Sequence, residues 1–361
     1  MTPLNTLLTH ENPDLDATLC LWLLTRFGEA RYPGISLLPV RFMPAGLTPD
    51  NLHPDELERT CGILAVDTGG GRLDTHARDG VSDPRKRDRC AASLVAEDLG
   101  LEREPALQKL LQFVTQQELR GRSIASPHPM DHLVSLPTLI RGLHLKYPDR
   151  PDRVVALVLE LYDAAYATEL DWFKAVEDFM HARVVVLENQ ARVVSIFSDT
   201  TAAVKVARHN RADLVIHRNS QGHTGITARH NGVFAQLELS EVAALLRTAE
   251  ASREGGEIQH PQLRLIGMIH GWYLHDSLRI LSRGSAKHRG LPASALSLEE
   301  IQDLTVAALD PARPVPGGWC ARMRTPGTSC AACPLEPLRL KSCDHLRALQ
   351  ATEAHPTAGS S

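Results

Sequence analysis

Long hydrophobic runs are absent from the sequence: no stretch of about 18 apolar residues occurs, which excludes a membrane-spanning helix. The net charge is also small, at −4 over 361 residues, so a site for a polyanion would have to be local. The first residues combine no basic segment with a long apolar stretch, so we expect no secretory signal and a cytoplasmic location. With 43% hydrophobic and 23% charged residues, the chain is neither wholly disordered nor collagen-like.

Length and cysteine spacing predict two domains and a small appendage. Four of the seven cysteines lie within the last 42 residues, as Cys320, Cys330, Cys333 and Cys343. The C-x2-C pair with its two flanking cysteines can close a tetrahedral zinc site, while the wide symmetric spacing leaves an iron–sulfur cluster, or no metal, as alternatives. We predict a four-cysteine metal module over residues 311–349 and a disordered tail over residues 350–361.

The first part of the chain alternates strand and helix patterns. Apolar runs predict strands over residues 4–9, 36–42 and 62–66, with a helical run over residues 16–25. Such alternation predicts an α/β fold with a parallel sheet covered by helices. In these sheets a ligand binds beyond the carboxyl ends of the strands, where His10 and Asp67 follow their strands.

Helical patterns continue after Cys90, and one long helix is predicted over residues 152–189. Four short strands are then predicted, over residues 191–196, 202–208, 212–216 and 225–228. The resulting organisation is an amino-terminal domain over residues 1–150, a linker helix over residues 151–190 and a smaller α/β domain over residues 191–310.

Two polar clusters follow the predicted strands and share one kind of chemistry. Their six members are His10, Asp14, Asp16, Asp67, Asp74 and His76. Carboxylates with imidazoles suit Mn²⁺ or Mg²⁺ better than Zn²⁺, and this set could hold two ions about 4 Å apart, which activate water and hold a phosphoryl oxygen. Taken singly, Asn12-Pro13-Asp14 is typical of a turn and Asp16 of a helix cap.

The pattern His10-x-Asn-Pro-Asp-x-Asp-Ala, a strand ending in Asp67-Thr-Gly, and the pair Asp74-x-His76 together resemble the DHH phosphoesterase superfamily. The short spacing after Asp67 is similar to its compressed-motif, oligoribonuclease-like branch. The resemblance covers about residues 1–145. It implies His10, Asp14 and Asp16 as first-motif metal ligands and Asp67 as the bridging carboxylate. It also implies catalytic roles for Asp67, Asp74 and His76, with Asp67 and His76 ligating as well.

Two positions differ from the pattern of this superfamily. The superfamily has an Asp-His-His motif where this chain has Asp74-Thr75-His76. The superfamily also has an aspartate in its fourth motif, and Glu118 is the corresponding candidate metal ligand here. Asp131 and His132 are alternatives to Glu118. A single-metal or inactivated site is therefore an open alternative.

The second half supplies candidate substrate-binding residues: Arg218, Gly222, His223, Arg283, Lys287 and His288. The first three put basic groups beside a Gly-rich turn that could cradle a phosphate, although a solvated hairpin turn explains them equally well. The last three follow the aromatic pair Trp272-Tyr273, a combination that suits single-stranded nucleic acid. The run of basic residues 85–87 is interpreted as a solvent-facing loop.

The resemblance implies a divalent-metal-dependent phosphodiesterase, with a single-strand exonuclease or oligonucleotidase as the first hypothesis. The expected partners are single-stranded nucleic acid or short oligonucleotides, and no membrane. One alternative is a hydrolase for a small nucleotide, such as a cyclic dinucleotide or a 3′-phosphoadenylate. Another is a nucleic-acid-binding protein that has lost catalysis, and a zinc-dependent regulator is a third. The oligomeric state stays open, with a homodimer as one option.

Overall fold

The computed structural model describes residues 2–78, 83–121, 128–232, 235–256, 260–284, 290–310, 312–313, 315, 333, 335–340 and 343. The chain divides into an amino-terminal unit, Met1–Leu170, and a carboxyl-terminal unit, Asp171–Ser361. Within the described residues, no helix combines the length and the apolar character needed to cross a bilayer.

A three-stranded parallel sheet lies at the centre of the described part of the amino-terminal unit. Strands β1 (Thr6–His10), β2 (Val40–Met43) and β3 (Ile63–Ala65) pair in the order β2-β1-β3. The prediction of an α/β fold with a parallel sheet is confirmed. Each predicted strand overlaps an observed one, and His10 and Asp67 lie at the same edge of the sheet because β1 and β3 run in the same direction.

Helices α1 (Leu15–Phe27) and α3 (Ala91–Asp98) pack together in the core of this unit. Ten consecutive residues of α1, from Leu15 to Leu24, are buried, as expected for a helix that is apolar on most of its surface. Each fully buried leucine in this run stabilises the fold by about 1.5–3 kcal/mol. The other helices are α2 (Pro54–Cys61), α4 (Pro105–Arg120), α5 (Pro129–Leu133) and α6 (Leu136–Lys146), and α7 (Pro151–Phe179) contains the boundary with the second unit.

The carboxyl-terminal unit has a seven-stranded sheet among its described residues, in the order β4-β5-β6-β7-β10-β9-β8. The pair β5–β6 is parallel and the other neighbours are antiparallel. Its strands are β4 (Arg183–Val186), β5 (Arg192–Phe197), β6 (Leu214–Arg218), β7 (Thr224–Ala228), β8 (Gly267–Ile269), β9 (Trp272–Leu274) and β10 (Ile280–Arg283). Its helices are α8 (Ala203–His209), α9 (Ser240–Glu254) and α10 (Leu298–Leu309).

Two sequence-based predictions in this region are wrong. Residues 202–208, predicted as a strand, form α8, because Ala203, Val206 and Ala207 lie on one buried helical face. The long helix ends at Phe179, ten residues before its predicted end, and the valine-rich strand β4 follows. β-branched residues favour the strand, and pairing with β5 satisfies its backbone.

The predicted four-cysteine module falls largely on parts of the chain that the structure does not describe. Cys320 and Cys330 lie outside the described residues, as does the predicted tail. Cys333 and Cys343 are described and pack at the edge of the hydrophobic core of the carboxyl-terminal unit.

Candidate metal centre

Three side chains converge beyond the carboxyl ends of β1 and β3. His10 is the last residue of β1, Asp67 follows β3 by two residues, and Asp14 is the N-cap of α1. One potential ligand atom from each lies within 4.8 Å of the others. The His10 Nε2 atom is 3.5 Å from Asp67 Oδ2. Because parallel strands end at one edge of the sheet, the backbone itself brings these residues together.

A second group of three side chains shares Asp67 with the first. Potential ligand atoms of Asp67, Asp74 and His76 also lie within 4.8 Å of one another. His76 Nδ1 is 3.7 Å from Asp67 Oδ1 and 2.8 Å from Asp74 Oδ1. One carboxylate that belongs to two ligand groups is the arrangement needed to bridge two cations.

Asp67 is buried, and its Oδ1 atom has no hydrogen-bond partner within the part of the chain that the structure describes. Burial, and then the charges of Asp16, Asp14 and Asp74, raises the pKa of Asp67 well above its usual range. Its φ of +50° lies in the left-handed region that non-glycine residues seldom adopt. Asp67 therefore combines a strained backbone with a buried carboxylate oxygen that has no donor among the described residues. These properties fit a cation ligand, since a cation would supply the missing partner.

The glycine-rich loop after Asp67 folds tightly against its neighbours. Gly69 and Gly70 have φ values of +78° and +74°. A Cβ atom on Gly69 would lie 2.5 Å from the side chain of Thr48, and one on Gly70 would lie 2.5 Å from Arg78 Cβ. The Gly70 N–H donates to Asp74 Oδ2 at 2.7 Å. The loop therefore needs glycine both for its backbone conformation and for space, and it holds Asp74 in place.

Asp74 and His76 form a hydrogen-bonded pair. The backbone N–H of His76 donates to Asp74 Oδ1 at 2.9 Å, and the ring Nδ1 lies 2.8 Å from the same oxygen. Burial alone would raise the pKa of Asp74, but the hydrogen bonds from His76 and Gly70 lower it. The hydrogen bond to Asp74 raises the pKa of His76 to about 9 against the effect of burial. Without a metal, His76 is thus protonated at neutral pH.

Asp16 lies outside both ligand groups. Its two oxygens accept hydrogen bonds from the backbone N–H groups of Ala91 and Ala92, both at 2.7 Å, at the start of α3. Burial raises the pKa of Asp16 to about 6, although these two N–H groups act in the opposite direction. Asp16 therefore anchors the start of α3, a helix distant in sequence, while the N-cap of its own helix is Asp14.

Glu118 lies on α4, and among the described residues neither it nor Asp131 or His132 enters the two ligand groups. It does line a cavity with Asp14. Desolvation, and then the charges of Asp14 and Asp16, raise the pKa of Glu118 to about 7. Its electrostatic environment is therefore that of a residue close to the acidic cluster.

The ligand groups face a cavity of about 620 Å³. Its lining residues include His10, Asp14, Asp67, Asp74, His76 and Arg78. Two basic residues hold the walls of this site: Arg78, which sequence reasoning missed, and Lys86, for which the interpretation as part of a solvent-facing loop is wrong. Arg78 donates to the carbonyls of Leu52 and Gly69, and Lys86 Nζ donates to the carbonyls of Gly71 and Asp74, both at 2.7 Å. No local sequence signal distinguishes Lys86 from its basic neighbours, because its partners lie 12 and 15 residues away.

Three of the candidate substrate-binding residues of the second half lie in or next to the β6–β7 hairpin. Arg218 donates to the carbonyls of Leu296 and Ser294, and Gly222 occupies the β6–β7 hairpin turn. His223 closes that turn: the backbone N–H of Asn219 donates to its carbonyl. These three residues therefore form part of a hairpin turn, which was the alternative to a phosphate-binding turn in the sequence analysis.

Arg283 is buried in the core of the carboxyl-terminal unit. Its guanidinium donates to Glu254 Oε1 and to the carbonyls of His270 and Pro292. This placement assigns Arg283 to the core rather than to an open binding surface. Lys287 and His288 lie outside the described residues.

No protein-family model matches the sequence, and no curated protein does. Among solved structures, a DHH domain described as a member of the s1p family of ribosomal proteins shows 14% identity and a TM-score of 0.26, over 80% of this chain and 88% of that one. An uncharacterized protein from Helicobacter pylori G27 shows 12% identity and a TM-score of 0.21, over 81% of this chain and 95% of that one. At these TM-scores neither likeness supports an inference.

Proposed function

We propose that the amino-terminal unit is a divalent-metal-dependent phosphoesterase of the DHH type, which acts on phosphodiesters. The observation that carries this proposal is Asp67: a buried carboxylate, with one oxygen lacking a donor within the described residues, belongs to both ligand groups. The sequence resemblance to the superfamily points independently to the same residue as the bridging carboxylate.

The donor set fits Mn²⁺ or Mg²⁺. Carboxylate oxygens with imidazole nitrogens are hard and borderline ligands, and the two groups contain no thiolate. His10, Asp14 and Asp67 would hold one ion, and Asp67, Asp74 and His76 a second. When bound, such ions lower the pKa of water and neutralise charge on a phosphoryl group.

The protein holds the ligand carboxylates in position and controls the protonation of His76. Burial of Asp67 and the constrained glycine loop keep the carboxylates within a fixed frame before any ligand arrives. Asp74 orients the His76 ring through Nδ1, and the proton held between them must leave before Nδ1 can ligate. The substrate class that we propose is a single-stranded or short oligonucleotide, degraded as an exonuclease or oligonucleotidase would.

Hydrolysis of labelled single-stranded oligonucleotides, dinucleotides and cyclic dinucleotides with added Mn²⁺ tests the proposal. Asp67→Asn keeps the side-chain shape but removes the charge, and we expect it to lower activity at least about 100-fold. Asp152→Asn is the matched control, because Asp152 is exposed and its ion pair is with Arg150, on the surface of the protein. If no substrate is cleaved, or if Asp67→Asn is as active as wild type, the proposal is wrong.

The position of Asp16 supports a second candidate, a nucleic-acid-binding protein without catalysis. With Asp16 used as a helix anchor and Thr75 in place of a histidine, the two ions together have fewer ligands than the superfamily pattern implies. Binding of oligonucleotides without Mn²⁺-stimulated hydrolysis would favour this candidate. Cleavage of cyclic dinucleotides or 3′-phosphoadenylate alone would favour the small-nucleotide alternative.

We also propose a structural metal at the four cysteines, as Zn²⁺ or an iron–sulfur cluster. The position of Cys333 and Cys343 together at the edge of one core supports it. Metal analysis of the purified protein, with a visible absorption spectrum, separates the two metals. Protein that contains neither metal would contradict the proposal.

A further inference from the structure

A second cavity, of about 530 Å³, is next to the first. Asp14 lines both cavities, so the two spaces meet at one of the candidate metal ligands. The second cavity is formed by the loop before α1, by the end of α4, and by α6 with the loop after it. Its lining residues include Asn12, Glu118, Pro137, Ile140, Arg141 and His144.

Helix α6 is fixed against the loop that carries Asp14. His144 Nε2 lies 2.9 Å from the carbonyl oxygen of Pro13, the residue before Asp14. Arg141 precedes His144 by three residues, so the two side chains leave the same face of α6. The contact of His144 therefore sets the position of Arg141 relative to Asp14.

Arg141 is exposed, and its side chain forms no hydrogen bond or ion pair with any residue that the structure describes. The cations beside the first cavity are used differently, since Arg78 and Lys86 donate to backbone carbonyls of its walls. Arg141 thus presents a guanidinium to the cavity next to an otherwise acidic site. A guanidinium binds a phosphate with two parallel hydrogen bonds, which makes it the suited cation for this ligand.

We propose that the second cavity binds the phosphate next to the one held at the metal groups, with Arg141 as the positioning residue. The inference rests on the proposed function. It specifies the substrate class as a dinucleotide or longer strand with at least two phosphates. The apolar walls, Pro137, Ile140, Leu145 and Pro148, contact the attached nucleoside.

Equilibrium binding with Mn²⁺ tests the inference without turnover. The two-phosphate probe is a 5′-phosphorylated diadenylate with a non-hydrolysable methylenephosphonate linkage, and the one-phosphate probe is adenosine 5′-methylphosphate. We expect Arg141→Ala to weaken the two-phosphate probe about tenfold or more and to leave the one-phosphate probe within about twofold. Arg141→Lys should recover part of the affinity.

Lys146→Ala is the matched control. Lys146 is on the same helix, carries the same charge, does not line the cavity, and lies over the ring of Tyr147 at 5.3 Å. We expect it to bind both probes like wild type. The inference is overturned if Arg141→Ala binds like wild type, if it weakens both probes equally, or if wild type does not prefer the two-phosphate probe.

These outcomes separate the subsite from the proposed function. Hydrolysis that depends on Asp67, without a role for Arg141 in binding, would reject the subsite and keep the enzyme. Binding that depends on Arg141, without hydrolysis, would reject the enzyme and keep the subsite.

Discussion

Three glycine-to-alanine substitutions measure how strongly the loop beside Asp67 is constrained. Gly70 has a φ of +74°, and a Cβ atom there would lie 2.5 Å from Arg78 Cβ and 3.2 Å from the Arg78 backbone nitrogen. Gly100 has a φ of +71° with nothing within 4 Å. Gly142 lies inside α6, without a positive φ and with open space around it. The three sites therefore separate backbone conformation from steric contact.

The expected changes in the free energy of unfolding follow from these geometries. An alanine in the left-handed region costs about 1–2 kcal/mol, which is the whole effect expected for Gly100→Ala. At Gly70 the contact with Arg78 involves backbone and forces a shift, which adds about 1–3 kcal/mol. Gly142→Ala should instead stabilise by about 0.5–1 kcal/mol, since alanine is the better helix former.

Urea denaturation of the metal-free protein provides the measurement, with Mn²⁺ titration of each folded variant as a second assay. Because the Gly70 N–H donates to Asp74 Oδ2, we expect Gly70→Ala to weaken Mn²⁺ binding while the other two variants leave it unchanged. The reasoning is refuted if Gly70→Ala loses no more stability than Gly100→Ala, since the loop would then not be packed against Arg78.

Two further predictions concern pH. The pKa of Asp16 is about 6 in the folded chain against 3.8 for the free side chain, so its protonated form adds stability that is full below pH 3.8 and is lost as pH rises through 6. Asp16→Asn removes this component. The stability difference between wild type and variant should therefore fall by roughly 2 kcal/mol between pH 4 and 7 in urea titrations with chelator, and a constant difference would contradict this expectation. The pKa of His76 is about 9, above its usual 6.5, so Mn²⁺ must displace a proton from the ring when it binds. The affinity of the protein for Mn²⁺ should therefore rise from pH 6 to pH 9, by up to about tenfold per pH unit. Calorimetry in two buffers of different ionisation enthalpy measures the released protons, and His76→Gln should release about one fewer; an equal release from both would show that His76 does not ligate.

Strand ends were predictable because they depend on local pattern. The apolar runs before His10 and Asp67 predict strands with short-range information alone, and parallel pairing then places both residues at one edge. Residues 202–208 show where this reasoning is limited. The segment Ala-Ala-Val-Lys-Val-Ala-Arg alternates like a strand, yet the unit buries it as a helix, and a window of seven residues fits both periodicities.

The sequence by itself determined the chemistry of the candidate site: which carboxylates and imidazoles lie at the strand ends, and that glycines follow Asp67. Only the tertiary structure decided how each is used. Asp16 meets backbone N–H groups 75 and 76 residues away, Lys86 reaches carbonyls of the Asp67–Asp74 loop, and Arg141 opens onto a cavity that Asp14 shares. Asp14 and Asp16 are chemically alike and both accept backbone N–H groups. Asp14 caps its own helix through Oδ1 and still belongs to a ligand group, whereas long-range hydrogen bonds, which no local pattern contains, occupy both oxygens of Asp16.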